Sequence, residues 1–321
     1  MLWSLLWAVS SVAVAAPVHL RHEERPIDAE PPMPPVADDA DEVMRRGAEL
    51  FRVASCIGCH SPPFSDAEHL GGGRDLPTVF GVFWAPNISP DPATGIGGWT
   101  EEDFERALRR GRAPDGRRYW PTFPTMAYTR MSDDDVHALW VYVSSQPAVQ
   151  TEERPHQVRF PYSLPGMRSL WRGLHFRRGP LPEAPERSED WMRGRYLVHA
   201  VAYCDQCHTP RGPTGGLRER HLLAGGANPA KGDVHPNLTP DLAFGLGTWT
   251  VDDIAHYLAT GTRPDGTVTD SENIMGEKIR DGYAHLSVED RRAIGVYLTS
   301  LPTDDFDPSG LVAPGGRARA R

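Results

Sequence analysis

The sequence predicts an all-α fold in which one helical module occurs twice. Two segments open with a capping box, Thr100 with Asp103 and Thr250 with Asp253, and such a box satisfies the free N–H groups at a helix start. Apolar positions elsewhere follow helical spacing, and no stretch of strand length alternates apolar and polar residues. The capping boxes also begin two segments of closely similar sequence, which indicates a repeat.

The motifs of the first half recur in the same order in the second half. CIGCH, starting at Cys56, corresponds to CDQCH, starting at Cys204, and PNISPD corresponds to PNLTPD. GIGGWTEEDFERALRRGRAPDG then corresponds to GLGTWTVDDIAHYLATGTRPDG, and RMSDDDVHALWVYVSS to HLSVEDRRAIGVYLTS. Motifs that recur in order over so long a period indicate a duplicated folding unit.

Each copy is expected to contain three short helices. The first helix leads into the cysteine pair. The second ends at a glycine, Gly111 or Gly261, which suits the left-handed position after a helix. The third begins at a serine, Ser132 or Ser287, which is a preferred N-cap residue.

The chain is divided by composition into six segments. Its first residues, MLWSLLWAVSSVAVA, are apolar with small residues at Ala13 and Ala15, which indicates a secretory signal peptide and an exported protein. An uncleaved N-terminal anchor remains the alternative. The predicted segments are a signal peptide or anchor (1–15), a flexible leader (16–39), module 1 (40–150), a linker (151–188), module 2 (189–304) and a C-terminal tail (305–321).

The net charge of the chain is negative. It is -9 at pH 7, with a pI of about 5.8. Because nucleic acid is recognised through basic surfaces, this balance argues against a nucleic-acid partner.

All four cysteines lie in two Cys-x-x-Cys-His motifs: Cys56, Cys59 and His60, and Cys204, Cys207 and His208. This motif is the attachment signature of c-type haem. Two thiols one helical turn apart can form thioethers with the two vinyl groups of one porphyrin, and the histidine then binds the iron from one side. We therefore expect two covalently bound haem c groups. A zinc site or a disulfide remains the alternative, although no βαβ pattern supports a thioredoxin-like pair.

The sixth iron ligand is predicted to be a methionine in each copy. Met275 is the only candidate in the second copy. Met126 is preferred in the first copy, because its competitor Met131 corresponds to Leu286 and therefore has the position of a packing residue. His285 is the nearest alternative to Met275.

The iron-binding histidines need a hydrogen-bond acceptor for the N–H group of the ring nitrogen that does not bind iron. Each is followed by Ser or Thr and then by Pro. We expect the carbonyl groups of Pro62 and Pro210 to accept these hydrogen bonds.

A longer chain of motifs resembles a known family. GGGRDLPTVFGVFWAPNISPDPATGIGGWT, RAPDGRRYWPTFPTMAY and the linker PYSLPGMRSLWRGLHFRRGP are similar to the multi-haem cytochrome c subunits of membrane-bound dehydrogenases for alcohol, gluconate or aldehyde. The resemblance implies two tandem class I cytochrome c modules, with iron ligands His60 and Met126 in one and His208 and Met275 in the other.

The resemblance also implies a function as an electron carrier rather than an enzyme. A partner dehydrogenase would be the donor, and an oxidase, a quinone site or another cytochrome in the respiratory chain would be the acceptor. We expect a periplasmic location, with membrane association through the N-terminal segment as a further expectation.

The main rival is a dihaem enzyme, such as a cytochrome c peroxidase or a sulfur-compound oxidase. Such an enzyme needs one haem with an open or exchangeable position. A candidate methionine in each copy argues against it.

Overall fold

The computed structural model describes residues 41–61, 69–228, 230, 232–271 and 273–311. The predicted signal peptide (1–15), the predicted leader (16–39) and the end of the predicted tail lie outside the described residues. In the described part no helix is both long enough and apolar enough to cross a membrane.

Where the structure describes the first half, it contains five helices and two of the three strands of a small sheet. In chain order these elements are α1 (Glu42–Val53), α2 (Cys56–His60), β1 (Asp75–Thr78), β2 (Gly81–Trp84), α3 (Glu101–Arg110), α4 (Thr125–Tyr128) and α5 (Asp133–Ser144).

Between the halves the predicted linker has its own structure. Strand β3 (Gln157–Val158) pairs antiparallel with β2, so the linker completes the sheet of the first half. Helix α6 (Met167–His175) follows. The linker contacts both halves, because Arg172 on α6 donates to the carbonyl of Arg110 in the first half and Trp171 on α6 donates to that of Thr214 in the second.

The second half repeats the helical elements of the first. They are α7 (Glu189–Tyr196), which continues into a π-helical turn (Leu197–Val201), α8 (Cys204–His208), β4 (Gly226–Asn228), β5 (Asp233–His235), α9 (Val251–Thr260), α10 (Ile274–Asp281) and α11 (Val288–Thr299). Short 3-10 turns lie at Glu219–His221, Tyr283–His285 and Pro308–Leu311.

The local helix signals are confirmed. Both capping boxes form before α3 and α9. Gly111 and Gly261 end these helices with φ of 53° and 71°, the left-handed conformation that glycine adopts without strain. Ser132 and Ser287 cap α5 and α11 through their side chains.

The five short strands of the described part were not predicted, so the fold there is mostly helical and not entirely so. Each strand has only two to four residues. A period-2 pattern needs about four to eight residues to be recognisable. Strands this short leave no such pattern in the sequence.

The terminal helices of each half cross in the same way. Arg46 on α1 forms a bidentate ion pair with Asp135 on α5, in which Nε and Nη2 donate to the two carboxylate oxygens at 2.9 and 3.0 Å. Arg193 on α7 forms the same pair with Asp290 on α11, at 2.7 and 2.6 Å. Buried apolar side chains of both halves join in one continuous core. The two cysteine motifs are thus carried by matching scaffolds that share a core.

Candidate functional site

Each cysteine pair lies on its own five-residue helix. Cys56 and Cys59 are on α2, and Cys204 and Cys207 are on α8. Residues three apart on a helix share a face, so the two thiols of each pair are neighbours. All four thiols are free of disulfide bonds.

A left-handed residue starts each of these helices. Ser55 has φ of 52° and Tyr203 has φ of 44°, which is uncommon for residues with a side chain. The left-handed residue separates the long helical segment before it from the cysteine helix after it.

The histidine of each motif makes the same hydrogen bond. Nδ1 of His60 lies 2.8 Å from the carbonyl oxygen of Pro86, and Nδ1 of His208 lies 2.8 Å from that of Pro236. A carbonyl can only accept, so Nδ1 carries the hydrogen and donates it. A neutral imidazole with hydrogen on Nδ1 has its lone pair on Nε2. Both imidazoles are therefore held in the tautomer that binds a metal through Nε2.

The predicted acceptors were wrong. The hydrogen bonds go to the first residue of the repeated PN motif and not to the proline two residues after each histidine. Pro62 itself lies outside the described residues, but Nδ1 of His60 already has its partner. The recurrence of PNISPD as PNLTPD was a sequence signal that could have pointed to these prolines, but it was not used for this purpose.

Burial keeps both histidines neutral. It lowers the pKa of His60, and it lowers the pKa of His208 to about 4, while the proline carbonyls act in the opposite direction. A neutral imidazole is the form that coordinates iron.

The residue after each histidine binds a backbone N–H group from further along the chain. Oγ of Ser61 accepts from the N–H of Leu70 at 3.1 Å, and Oγ1 of Thr209 accepts from the N–H of Leu223 at 3.0 Å. These hydroxyls explain why both motifs continue with Ser or Thr. Further along, the chain returns to each histidine, where the N–H of Gly72 donates to the carbonyl of His60 and the N–H of Gly225 to that of His208, both at 2.8 Å.

A cavity of about 740 Å³ adjoins the first pair. Its volume lies within the range of cofactor sites, which are mostly apolar with a few placed polar groups. Cys56, Cys59 and His60 line it together with apolar and aromatic side chains, among them Ile88, Ile96, Trp99, Phe104, Leu108, Trp120, Phe123 and Tyr128. These thiols, this imidazole and this apolar wall fit a haem c group.

The same cavity extends into the second half. Tyr203, Gln206 and Cys207 contribute to its wall. The rings of Tyr128 and Tyr203, which both line it, meet edge to face with centroids 6.0 Å apart. The two cysteine helices therefore approach one shared region of the molecule.

The two methionine candidates of the first site have different surroundings. Met131 is 4 % exposed and lies on the cavity wall. Met126 lies on α4, is partly buried and is not among the residues that line this cavity. Leu286, the counterpart of Met131, is 3 % exposed in the core. The cavity wall favours Met131 as ligand, whereas the match to Leu286 favours a packing role for it.

Met275 lies in the first turn of α10. Its N–H donates to Oδ1 of the N-cap Asn273 at 3.0 Å, and its side chain packs partly buried against the core. The ring nitrogens of His285 already face Nη1 of Arg52 at 2.9 Å and the carbonyl of Arg280 at 3.1 Å. Those contacts would have to break before His285 could bind iron, so Met275 remains the predicted ligand.

Other metal centres have no support within the described ranges. There, no group of three or more His, Cys, Asp or Glu side chains is arranged to hold a metal ion.

Comparison with known proteins finds relatives among c-type cytochromes and cytochrome c subunits. The cytochrome c family profile matches residues 44–147. A diheme cytochrome c-type protein of Cereibacter sphaeroides is 37% identical over 260 residues, which cover 80% of this chain and 85% of the relative. The gluconate 2-dehydrogenase cytochrome c subunit of Pantoea cypripedii is 34% identical over 84% of this chain and 62% of its own length. The cytochrome c subunit of the quinone alcohol dehydrogenase of Gluconobacter oxydans is 32% identical over 88% of this chain and 62% of its own length.

Proposed function

The chain belongs to the family of dihaem c-type cytochromes, and from this premise we propose that it takes electrons from a partner dehydrogenase and passes them to the respiratory chain. It binds covalent haem c and transfers electrons, and it is not a catalytic subunit in its own right. Bound haem supplies one-electron chemistry at its iron.

We assign one haem to each half, in two tandem class I cytochrome c modules. The first is attached through Cys56 and Cys59, and the second through Cys204 and Cys207. The repeated hydrogen bond from histidine to proline carbonyl carries this assignment, because it prepares an iron ligand in each half. His60 and His208 are the proposed fifth ligands.

The proposed sixth ligands are Met126 and Met275, with Met131 as the competitor in the first site. A thioether ligand raises the reduction potential of haem iron. Ligands that stay bound in both oxidation states also keep the rearrangement on electron transfer small.

A dehydrogenase donor is the partner that relatives suggest. Several of them are named as cytochrome subunits of alcohol, gluconate and fructose dehydrogenases. The chain spans 85% of the dihaem relative but 62% or less of these subunits. An oxidase, a quinone site or another cytochrome is the proposed acceptor, and the periplasm is the proposed location, with membrane association through the N-terminal segment.

Haem content tests the assignment directly. The alkaline pyridine haemochrome of the purified protein should give two haems per chain, and the colour should stay with the polypeptide in acid acetone. The double variant Cys204→Ser with Cys207→Ser should retain one haem. Colour extracted by acid acetone, or a single haem in the unaltered protein, would contradict the two-site assignment.

Partner and acceptor need a separate measurement. The protein isolated from its host should co-purify with a dehydrogenase, and that enzyme's substrate should reduce both haems. Steady turnover of peroxide by the isolated cytochrome would instead favour the dihaem peroxidase.

A further inference from the structure

Lys278 connects the two cysteine helices. Its Nζ lies 3.2 Å from Oγ of Ser55 and 2.7 Å from the hydroxyl of Tyr203. Ser55 directly precedes Cys56, and Tyr203 directly precedes Cys204. One ammonium group is therefore bound at the start of both attachment helices.

Further contacts fix this position. The ammonium lies 4.0 Å from the centroid of the Tyr203 ring, a cation–π distance. The preceding residue, Glu277, accepts two hydrogen bonds of 2.8 Å from Arg74, which also donates to the carbonyl of Gly58 at 2.6 Å. Helix α10 is thus attached to the first cysteine helix by two successive side chains.

The charge of Lys278 lies close to both pairs of cysteines. Its Nζ is bound to the side chains of the residues that directly precede Cys56 and Cys204. A single positive charge is therefore placed beside both attachment sites.

This charge is not cancelled by a neighbouring carboxylate. Glu277 is paired with Arg74, and among the described residues Lys278 forms its hydrogen bonds with hydroxyl groups and no salt bridge. The chain has only two lysines against a large excess of arginine. An ammonium is a compact point charge whose donors reach both hydroxyls.

We propose that Lys278 is a positioning residue that holds the two attachment helices together and raises the reduction potentials of both haem sites. The inference rests on the proposed two-haem function. A positive charge in partly buried surroundings favours the ferrous state of the iron, because reduced iron carries one positive charge fewer than oxidised iron. Because the same ammonium contacts both helices, it acts on both irons in one direction.

The test is a spectroelectrochemical titration of both haems in four variants of the full-length protein. Lys278→Met and Lys278→Gln remove the charge, and the Gln variant keeps a group that can bond to Tyr203. Both midpoint potentials should fall in these two variants. Lys278→Arg keeps the charge and should restore most of the shift. Arg263→Gln removes the same charge from an exposed position and should leave both potentials near their original values.

The outcomes separate this inference from the proposed function. Fewer than two haems in the unaltered protein would defeat the proposed function. With two haems present, unchanged potentials in the Gln variant would reduce Lys278 to a packing role and overturn the inference, and so would a shift confined to one haem. If the Lys278→Met variant does not fold with both haems, the potentials of Lys278→Gln and Lys278→Arg are compared instead, and equal values would overturn the inference.

Discussion

At the scale of single residues, a hydrogen bond from Nδ1 fixes the tautomer of each imidazole and leaves Nε2 as the nitrogen that can bind iron. The donors and acceptors are separated by 26 and 28 residues along the chain. The bond fixes the ring orientation as well as the tautomer, as outer partners of metal-binding histidines do. Each histidine is therefore oriented to bind iron independently of the ligand on the opposite side of the haem.

The opposite ligand is tested by replacing methionine with leucine, which keeps the volume but removes the sulfur. Met275→Leu should abolish the methionine-to-iron charge-transfer band of the second haem and lower its potential, because the thioether that favours reduced iron is lost. Met126→Leu should do the same at the first haem. Visible spectra and redox titration of each variant provide the measurement.

Met131→Leu is the matched control for the first site. It should leave the band in place, since Leu286 occupies the same position in the second half and is equally buried. Loss of the band in this variant, with Met126→Leu unaffected, would assign the ligand to Met131. Retention of the band in both would show that neither methionine binds the iron.

At the scale of helices, one close crossing recurs in each half. A Cβ added at Gly47 on α1 would lie 2.1 Å from the carbonyl oxygen of Ala138 on α5. A Cβ added at Gly194 on α7 would lie 1.9 Å from that of Ala293 on α11. The helices meet backbone to backbone, so only glycine fits at these two positions.

Gly47→Ala and Gly194→Ala should each destabilise the protein by about 1–3 kcal/mol, the usual cost of overpacking. The melting temperature followed by circular dichroism measures the effect.

Gly173→Ala on α6 is the control, because no atom lies within 4 Å of the added Cβ. There the substitution should stabilise the helix by about 0.5–1 kcal/mol. Equal melting temperatures for all three variants would contradict the close crossing.

Local signals made part of this architecture predictable. The capping box at Thr100 and the glycine at Gly111 depend on neighbours in the sequence, so both were read correctly. Strand β3 depends on pairing with β2, and its two residues leave no pattern of their own. The acceptor for His60 likewise arrives from a distant loop. Contacts of this kind are fixed by the folded chain and not by local propensity.

At the scale of the whole molecule, polar pairs join the two halves around the shared core. Arg130 from the first half donates to Oδ2 of Asp205 at 2.9 Å. Arg74 pairs with Glu277, and Arg52 approaches His285. A shared core and several pairs between the halves indicate that the described part unfolds as one unit. No motif in the sequence specified this arrangement.

Asp205 is the most buried member of these pairs, and it predicts an acid sensitivity. It is 1 % exposed and accepts hydrogen bonds from Arg130 and from Nδ1 of His199, each at 2.9 Å. Burial alone would raise its pKa, but His199 and Arg130 outweigh it and lower the pKa below its ordinary value of 3.8. The ionised carboxylate thus stabilises the fold above pH 3.8, and this contribution is lost as the pH falls through the lower folded-state pKa.

Arg130→Met should therefore cost about 1–3 kcal/mol at neutral pH, because a buried carboxylate loses one of its donors. The same variant should unfold at a higher pH than the original protein, since the folded-state pKa of Asp205 moves back up. Asp205→Asn should remove this part of the acid dependence, and Arg130→Met should then add little in the double variant. Denaturant unfolding between pH 2 and pH 7 measures all three. Additive losses in the double variant would mean that the pair does not connect the halves.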